Sequence, residues 1–481
     1  IKHKMLKLNL FNIAFTILLL SQTIKTEDEL RFTFELFTHG ASSPNSGLTE
    51  ENKDIFNHQW IGQSELTGVG LRQAFLVGYR DRLRYIEEKP IIKPQYDARD
   101  ILVLSTETNR TIMSAYAKIH GLFIPGTGPT IDPARVEMAV PPIDPSNYID
   151  AKEQLDQDNY TALPGKMNII PVHLSFPYER FTNYENSNKC SGLKVYETKN
   201  KDRTEVVDYL KSLTEKYGKK LIKYFPTKNE NMLKDYDFTL QVCDTIISLY
   251  MDGTDEFNDI INTLGVSSDE LLKDCYDFLN YNIVGNNTET NEEVIPYLVS
   301  PLFNKLIKWI DAKVKKDDKV DYDYQGYDVP KYVILSTEEN TLSTFMTFMN
   351  LIFGTNVKYP YYATNLHIEL YLQEDEEFRI EYYYNDELFL SMPYNEFKNK
   401  ISENLKNGEE IGTFCKFVEE GNEEEDNMFY LVGTIVSSVA AVGLIIGIIC
   451  IIKKREKIID SRENSKLEPI KNSTIRESNE I

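Results

Sequence analysis

Residues 428–452 contain no charged side chain. At about 1.5 Å per residue, a helix of that length crosses a ~30 Å hydrocarbon core. Lys453, Lys454, Arg455 and Lys457 follow it, and Glu423, Glu424, Glu425 and Asp426 precede it. Excess lysine and arginine mark the cytosolic flank. The sequence therefore predicts a single-pass type I membrane protein, its bulk luminal or extracellular, in an endolysosomal or plasma membrane. A second apolar run, Leu8 to Leu20, is shorter; Lys2, Lys4 and Lys7 precede it and Ser21-Gln22-Thr23 closes it. That pattern predicts a cleavable signal peptide over residues 5–25, with Met5 as initiator. Residues 417–427 read as an acidic stalk and 453–481 as a disordered cytosolic tail. The tail has no tyrosine after Lys453, so a tyrosine-based lysosomal sorting signal is not expected.

The exported part must build its own core, and a hydrophobic content of 41% allows one. A net charge of −22 disfavours nucleic acid and anionic membrane surfaces as partners. Cys190, Cys243, Cys275 and Cys415 fall in the exported part and Cys450 in the span. Four cysteines in an oxidising lumen permit two disulfides in three connectivities. Asn159 and Asn286 head sequons expected to carry glycans, while Asn472 would face the cytosol and stay bare.

Apolar runs at residues 31–38, 101–105 and 331–336 read as buried strands. Each precedes helical periodicity: Thr67–Tyr85 with Leu71, Phe75 and Tyr79 at spacing four, Thr111–Gly121, and Thr341–Phe353. Strand followed by helix is the α/β pattern. Strands are also expected at His367–Leu372 and Phe378–Tyr384, the second ending in an Asn385-Asp386 hairpin turn. Between them, residues 145–325 show mostly helical periods, at Val206–Phe225, Thr239–Leu249, Ser268–Tyr281 and Glu293–Lys313, and read as a cap inserted between α/β segments 28–144 and 326–416. No internal repeat is visible.

The first strand ends in Thr38-His39-Gly40-Ala41-Ser42-Ser43-Pro44. A histidine leaving a strand end beside a glycine suits a nucleophile, because the missing Cβ lets backbone and substrate approach closely. The stretch resembles the Arg-His-Gly-x-Arg-x-Pro signature of the histidine acid phosphatases, with Thr38 and Ser42 in place of the arginines. Further resemblances follow in family order: Trp60 to Gln73, Ser105 to Ala115, Ile170-Pro171-Val172-His173, and Ala363 to Tyr384. Together they cover about residues 30–415 and are similar to the membrane-anchored lysosomal and prostatic acid phosphatases. The implied fold is α/β: a histidine phosphatase (phosphoglycerate-mutase-like) sheet flanked by helices, a mostly helical cap, and one carboxyl-terminal transmembrane helix. The implied disulfide joins Cys190 to Cys415. Cys243 matches a family cysteine whose partner is absent, leaving Cys275 to pair with it.

The resemblance implies phosphomonoester hydrolysis through phosphohistidine, without metal or cofactor, on a phosphomonoester or other small ligand in the cleft. His39 falls on the nucleophile and Arg110 on a phosphate-clamping arginine. Glu338 and Glu339 fall where the family has a histidine and an aspartate. Glu339 remains a candidate proton donor, since a neighbouring carboxylate raises a pKa. Thr38, Ser42 and Glu338 complete the substrate-binding wall, with two arginines lost and one carboxylate gained. Each lost hydrogen bond to a charged group costs ~1.5–3 kcal/mol, so two lost arginines imply ~10²–10⁴ in rate or affinity. Two functions stay open: an acid phosphatase of weak or altered activity, and a catalytically dead pseudophosphatase that binds partners in the lumen or outside the cell. Glu338 and Glu339 could instead be a solvated helix start; with His39 they lack a spacing that identifies a metal site. His173 and His367 read as structural. Asn109 also heads a sequon, with low occupancy expected if Arg110 lines the cleft.

Overall fold

The computed structural model describes residues 28–45, 60, 62–144, 146, 148–174, 190–225, 228–283, 288–316, 329–355 and 362–415. The predicted signal peptide, stalk, membrane span and tail, with Asn286 and Asn472, lie outside them. Among the described residues no helix is long and apolar enough to cross a membrane. The chain divides into two units between residues 416 and 417, and every element below belongs to the first.

Seven strands form one sheet: β1 (Glu29–Thr38), β2 (Ile101–Ser105), β3 (His173–Leu174), β4 (Tyr332–Thr337), β5 (Asn365–Leu372), β6 (Phe378–Tyr384) and β7 (Glu387–Pro393). Their order is β3-β2-β4-β1-β5-β6-β7. β3, β2, β4 and β1 run parallel, whereas β5, β6 and β7 extend the sheet as antiparallel strands. β2 and β4 are buried throughout, which is why they read as unbroken apolar runs rather than alternating ones. At the β6–β7 hairpin, Asn385 and Asp386 both take positive φ, 45° and 74°, the backbone of a tight primed turn.

Along β1 the side chains alternate between faces. Phe32, Phe34 and Leu36 enter a core shared with α9 (Thr288–Lys315) and α10 (Glu339–Phe353). Burying each such phenylalanine contributes about 1.5–3 kcal/mol. Glu35 and Phe37 face α1 (Gly68–Arg82) and α2 (Asn109–Leu122) instead.

Leu71, Phe75 and Tyr79 mark the helical period of α1 but not its buried face. Leu71 and Tyr79 are 39% and 41% exposed, while Gly70, Ala74 and Gly78 are buried. α1 and α2 cross too closely for larger residues. A Cβ on Gly78 would sit 1.9 Å from the Lys118 carbonyl, and one on Gly121 would sit 2.0 Å from that of Phe75.

After β2 and α2 come the short helix α3 (Ile149–Gln157) and then β3. Helices α4 (Ser191–Lys201), α5 (Thr204–Leu213), α6 (Tyr236–Met251), α7 (Asp255–Leu264) and α8 (Ser268–Ile283) follow. Helices α5 to α8 surround their own core, which includes Leu210, Val242, Cys243, Phe257, Cys275 and Phe278. α9 buries its apolar face in the sheet's core. α11 (Tyr394–Ser402) and α12 (Gly408–Cys415) end the described chain. Cys190, before α4, is disulfide-bonded to Cys415 of α12. The second pairing is not formed: Cys243 and Cys275 are buried, unbonded thiols.

Candidate active site

Register between the two central parallel strands builds the site. Thr38 of β1 pairs with Thr337 of β4, so the next residues, His39 and Glu338, leave the sheet side by side. Ligand crevices of parallel sheets lie beyond these carboxyl ends. The turn after His39 has no room for a side chain, since a Cβ on Gly40 would meet the Gly70 carbonyl at 2.3 Å. Ser114 and Gln73 hold that turn, accepting from the Gly40 and Ala41 N–H groups at 3.1 and 2.9 Å.

His39 is 1% exposed. Its Nδ1 lies 2.7 Å from the Gly40 carbonyl oxygen. A carbonyl only accepts, so Nδ1 carries a proton and Nε2 points into the site. Nε2 lies 3.0 Å and 3.1 Å from the two Glu339 oxygens and 3.3 Å from Glu338 Oε2. Arg110, in the first turn of α2, donates Nε to Glu338 Oε2 at 2.9 Å and Nη2 to the same oxygen. Its Nη1 donates to Ser64 Oγ at 2.8 Å and to Asn45. Thr108 donates to the remaining Glu338 oxygen at 2.6 Å. Arg110 is thus held by a carboxylate of the chain itself.

Burial opposes charge on His39, but Glu339 and the hydrogen bonds to both carboxylates outweigh it and raise its pKa to about 9. Burial alone would raise Glu338, yet His39 and Arg110 hold it well below the usual carboxylate range. Glu339 is also lowered, against burial, chiefly by His39. The expected upward shift from its neighbour Glu338 is present but smaller than the pull of the imidazolium. Near neutrality the core of the site is therefore an imidazolium and a guanidinium held by two carboxylates.

The structure places the other expected residues less evenly. Thr38 turns from the pocket to the β5 side, where its Oγ1 accepts from Thr364 N at 2.9 Å. Ser42 is buried and bridges to Leu66. Asn159 is exposed after α3, and Asn109, also exposed, donates to Glu65 at 2.6 Å. His173 sits on β3 opposite Leu104, half-buried. His367, on β5 opposite Glu35, belongs to a different buried polar group. Tyr85 donates to Glu369 at 2.6 Å, so His367 Nδ1 donates to Tyr85 Oη at 2.8 Å, and Nε2 accepts from Arg80 at 3.3 Å. Burial lowers its pKa further, which fits a neutral ring.

Two site residues carry no signal in the sequence. Asp244, on α6, accepts from Asn45 N at 2.6 Å. Burial raises its pKa to about 6, and Arg110, Glu339 and His39 all act on it electrostatically. The Tyr362 ring lies 5.4 Å from the His39 ring. Neither falls in a motif; the fold alone brings them to the histidine.

Residues 9–385 match the family model described as histidine phosphatase superfamily (branch 2). Lysosomal acid phosphatase of Xenopus laevis is 35% identical over 126 residues, 26% of this chain and 28% of that protein. Testicular acid phosphatase of Mus musculus is 33% identical over 109 residues, 22% of this chain and 25% of that protein. These alignments thus span little more than a quarter of either relative. The crystal structure of Hafnia alvei phytase in complex with tartrate superposes with a TM-score of 0.52 at 10% identity, covering 79% of this chain and 98% of that one, a likeness of fold. With most of its length matched by the family model, this chain belongs to the histidine phosphatase superfamily, branch 2.

Proposed function

We propose that this protein is a histidine acid phosphatase-like, single-pass membrane protein whose phosphomonoester hydrolysis is strongly suppressed. The carrying observation is the Arg110–Glu338 pair, in which two guanidinium N–H groups converge on one carboxylate oxygen, beside a protonated His39. In the family reaction the histidine attacks phosphorus as a neutral base and forms phosphohistidine. Here His39 would have to pass its Nε2 proton to Glu339. That transfer produces the nucleophile and the proton donor together. It runs uphill, because the same pairing that raises the His39 pKa to about 9 holds the Glu339 carboxyl below its usual range. Phosphate would also have to displace Glu338 from Arg110, with no arginine at Thr38 or Ser42 to assist. The bulk is read as luminal or extracellular, from the signal peptide and the apolar stretch at 428–452.

The same pair supports a second reading, a pseudophosphatase that binds without turnover. Assaying the purified protein on an aryl phosphate from pH 4 to 7 separates the two. Weak turnover abolished by His39→Ala establishes the enzyme. Background turnover in the parent, with hydrolysis gained in a Thr38→Arg/Ser42→Arg/Glu338→His variant, establishes the pseudoenzyme in a sound fold. Turnover at the level of an intact acid phosphatase removes both readings. Inorganic phosphate at millimolar concentration is expected to leave the parent's thermal unfolding unchanged.

A further inference from the structure

We propose that His39, Glu338 and Glu339 form a site for one divalent transition-metal cation, with Asp244 of the cap as an outer acidic group. The inference rests on the reading above, in which the pocket no longer serves phosphate.

Geometry comes first. One ligand atom from each of the three residues lies within 4.8 Å of the others. The Nδ1–H of His39 is fixed on the Gly40 carbonyl at 2.7 Å, the support that orients metal-binding histidines. In its neutral form the buried ring therefore presents a bare Nε2 lone pair to two carboxylates, 3.0 Å and 3.3 Å away. Two electron-rich groups at that distance repel unless a cation, a proton or a metal, lies between them. One imidazole nitrogen with carboxylate oxygens suits Zn²⁺, Co²⁺ or Mn²⁺.

Charge balance points the same way. Glu338, Glu339 and Asp244 are three carboxylates; Arg110 is bonded to Glu338 and acts on the other two only through its charge. A second group of the same composition shows how the fold treats such a set. Glu35, Asp81 and His367 also bring one ligand atom each within 4.8 Å. There Lys118 Nζ donates to Glu35 at 2.7 Å and to Asp81, and Arg80 donates to Asp81 at 3.0 Å. That group carries its own cations; the His39 group relies on a single proton and a shared arginine. Arg110 already donates to Ser64 at 2.8 Å, so it keeps a partner when a metal takes Glu338. Binding forms a bond from Nε2 to the metal and releases the Nε2 proton to solvent, with no change of oxidation state.

The test is direct titration of the purified, chelator-treated full-length protein with Co²⁺, followed by its visible absorption, and with Mn²⁺, followed by electron paramagnetic resonance. The expected result is saturation at one equivalent. Glu339→Gln should weaken binding at least about tenfold, and His39→Ala should abolish it. Should His39→Ala fail to fold, Glu339→Gln, altering a partly exposed first residue of α10, decides alone. Absence of saturable binding below ~1 mM overturns the proposal, and so does equal binding by the parent and Glu339→Gln, which would place the metal elsewhere. Aryl phosphatase activity of the same metal-free sample is read separately. Strong His39-dependent turnover sinks the suppressed-phosphatase reading whatever the metal does; background turnover without metal binding sinks only this inference.

Discussion

The imidazole of His39 has one nitrogen committed to a backbone carbonyl and the other to carboxylates, and this sets how the protein responds to pH. Its folded pKa of about 9 lies above the ordinary 6.5. A raised pKa means the folded state binds the proton more tightly. The stabilisation, roughly 3 kcal/mol, is complete below pH 6.5 and lost as pH rises to about 9. Denaturant unfolding from pH 6 to 9.5 should show the loss, and Glu339→Gln should flatten it; an unchanged slope would mean the pair does not hold the proton. Glu35 is shifted the same way, from 4.5 to about 7, by burial and by Asp81. It therefore also lowers stability with rising pH, in the window 4.5 to 7. Glu35→Gln should remove that part of the slope and leave the alkaline part intact.

At the scale of elements, the close approach of α1 and α2 holds the turn that carries His39. Gly70 lies under Gly40, and Gly78 and Gly121 let the two helices touch through their backbones. Gly78→Ala forces a methyl group into the Lys118 carbonyl and should cost about 1–3 kcal/mol. Gly68→Ala, at the open start of α1 with nothing within 4 Å of its Cβ position, should be neutral or stabilising by about 0.5–1 kcal/mol. Melting temperatures of the two variants test the pair; equal shifts would contradict it. This packing also explains why spacing read from Leu71, Phe75 and Tyr79 located the helix and missed its buried face. Apolar period reports side-chain hydrophobicity, whereas a glycine contact buries backbone and leaves no apolar mark. The runs at 101–105 and 331–336 were legible because a strand buried on both faces is apolar at every position.

Across the whole molecule, the Cys190–Cys415 bond closes a span of 225 residues and ties α12 to α4. Chain-entropy arguments give a bond over such a loop about 2–5 kcal/mol. Reductant, or Cys190→Ser, should lower the melting temperature accordingly; an unchanged value would mean α12 is held by packing alone. Cys243 and Cys275 act on each other inside the core of α5 to α8, where burial raises the Cys243 thiol. Their state in the purified protein is read by thiol counting under denaturing, non-reducing conditions. With Cys450 counted as a thiol, one reactive thiol would show the second bond formed in solution, and three would match the structure.

The sequence by itself determined the strands at 31–38, 101–105 and 331–336 and the helices after them, and its resemblance to the histidine acid phosphatases marked His39, Arg110, Glu338 and Glu339 as positions of one pocket. These are local properties: apolar period, a glycine after a histidine, short motifs in order. Only the tertiary structure decided that Glu338 occupies Arg110, that His39 keeps a proton, that Thr38 turns away, and that Asp244 and Tyr362 join the site. His39 and Glu339 are 300 positions apart and come within 3.1 Å because β1 and β4 pair in one register. Charge states depend on such distances and on burial, and neither is written in any local stretch of the chain.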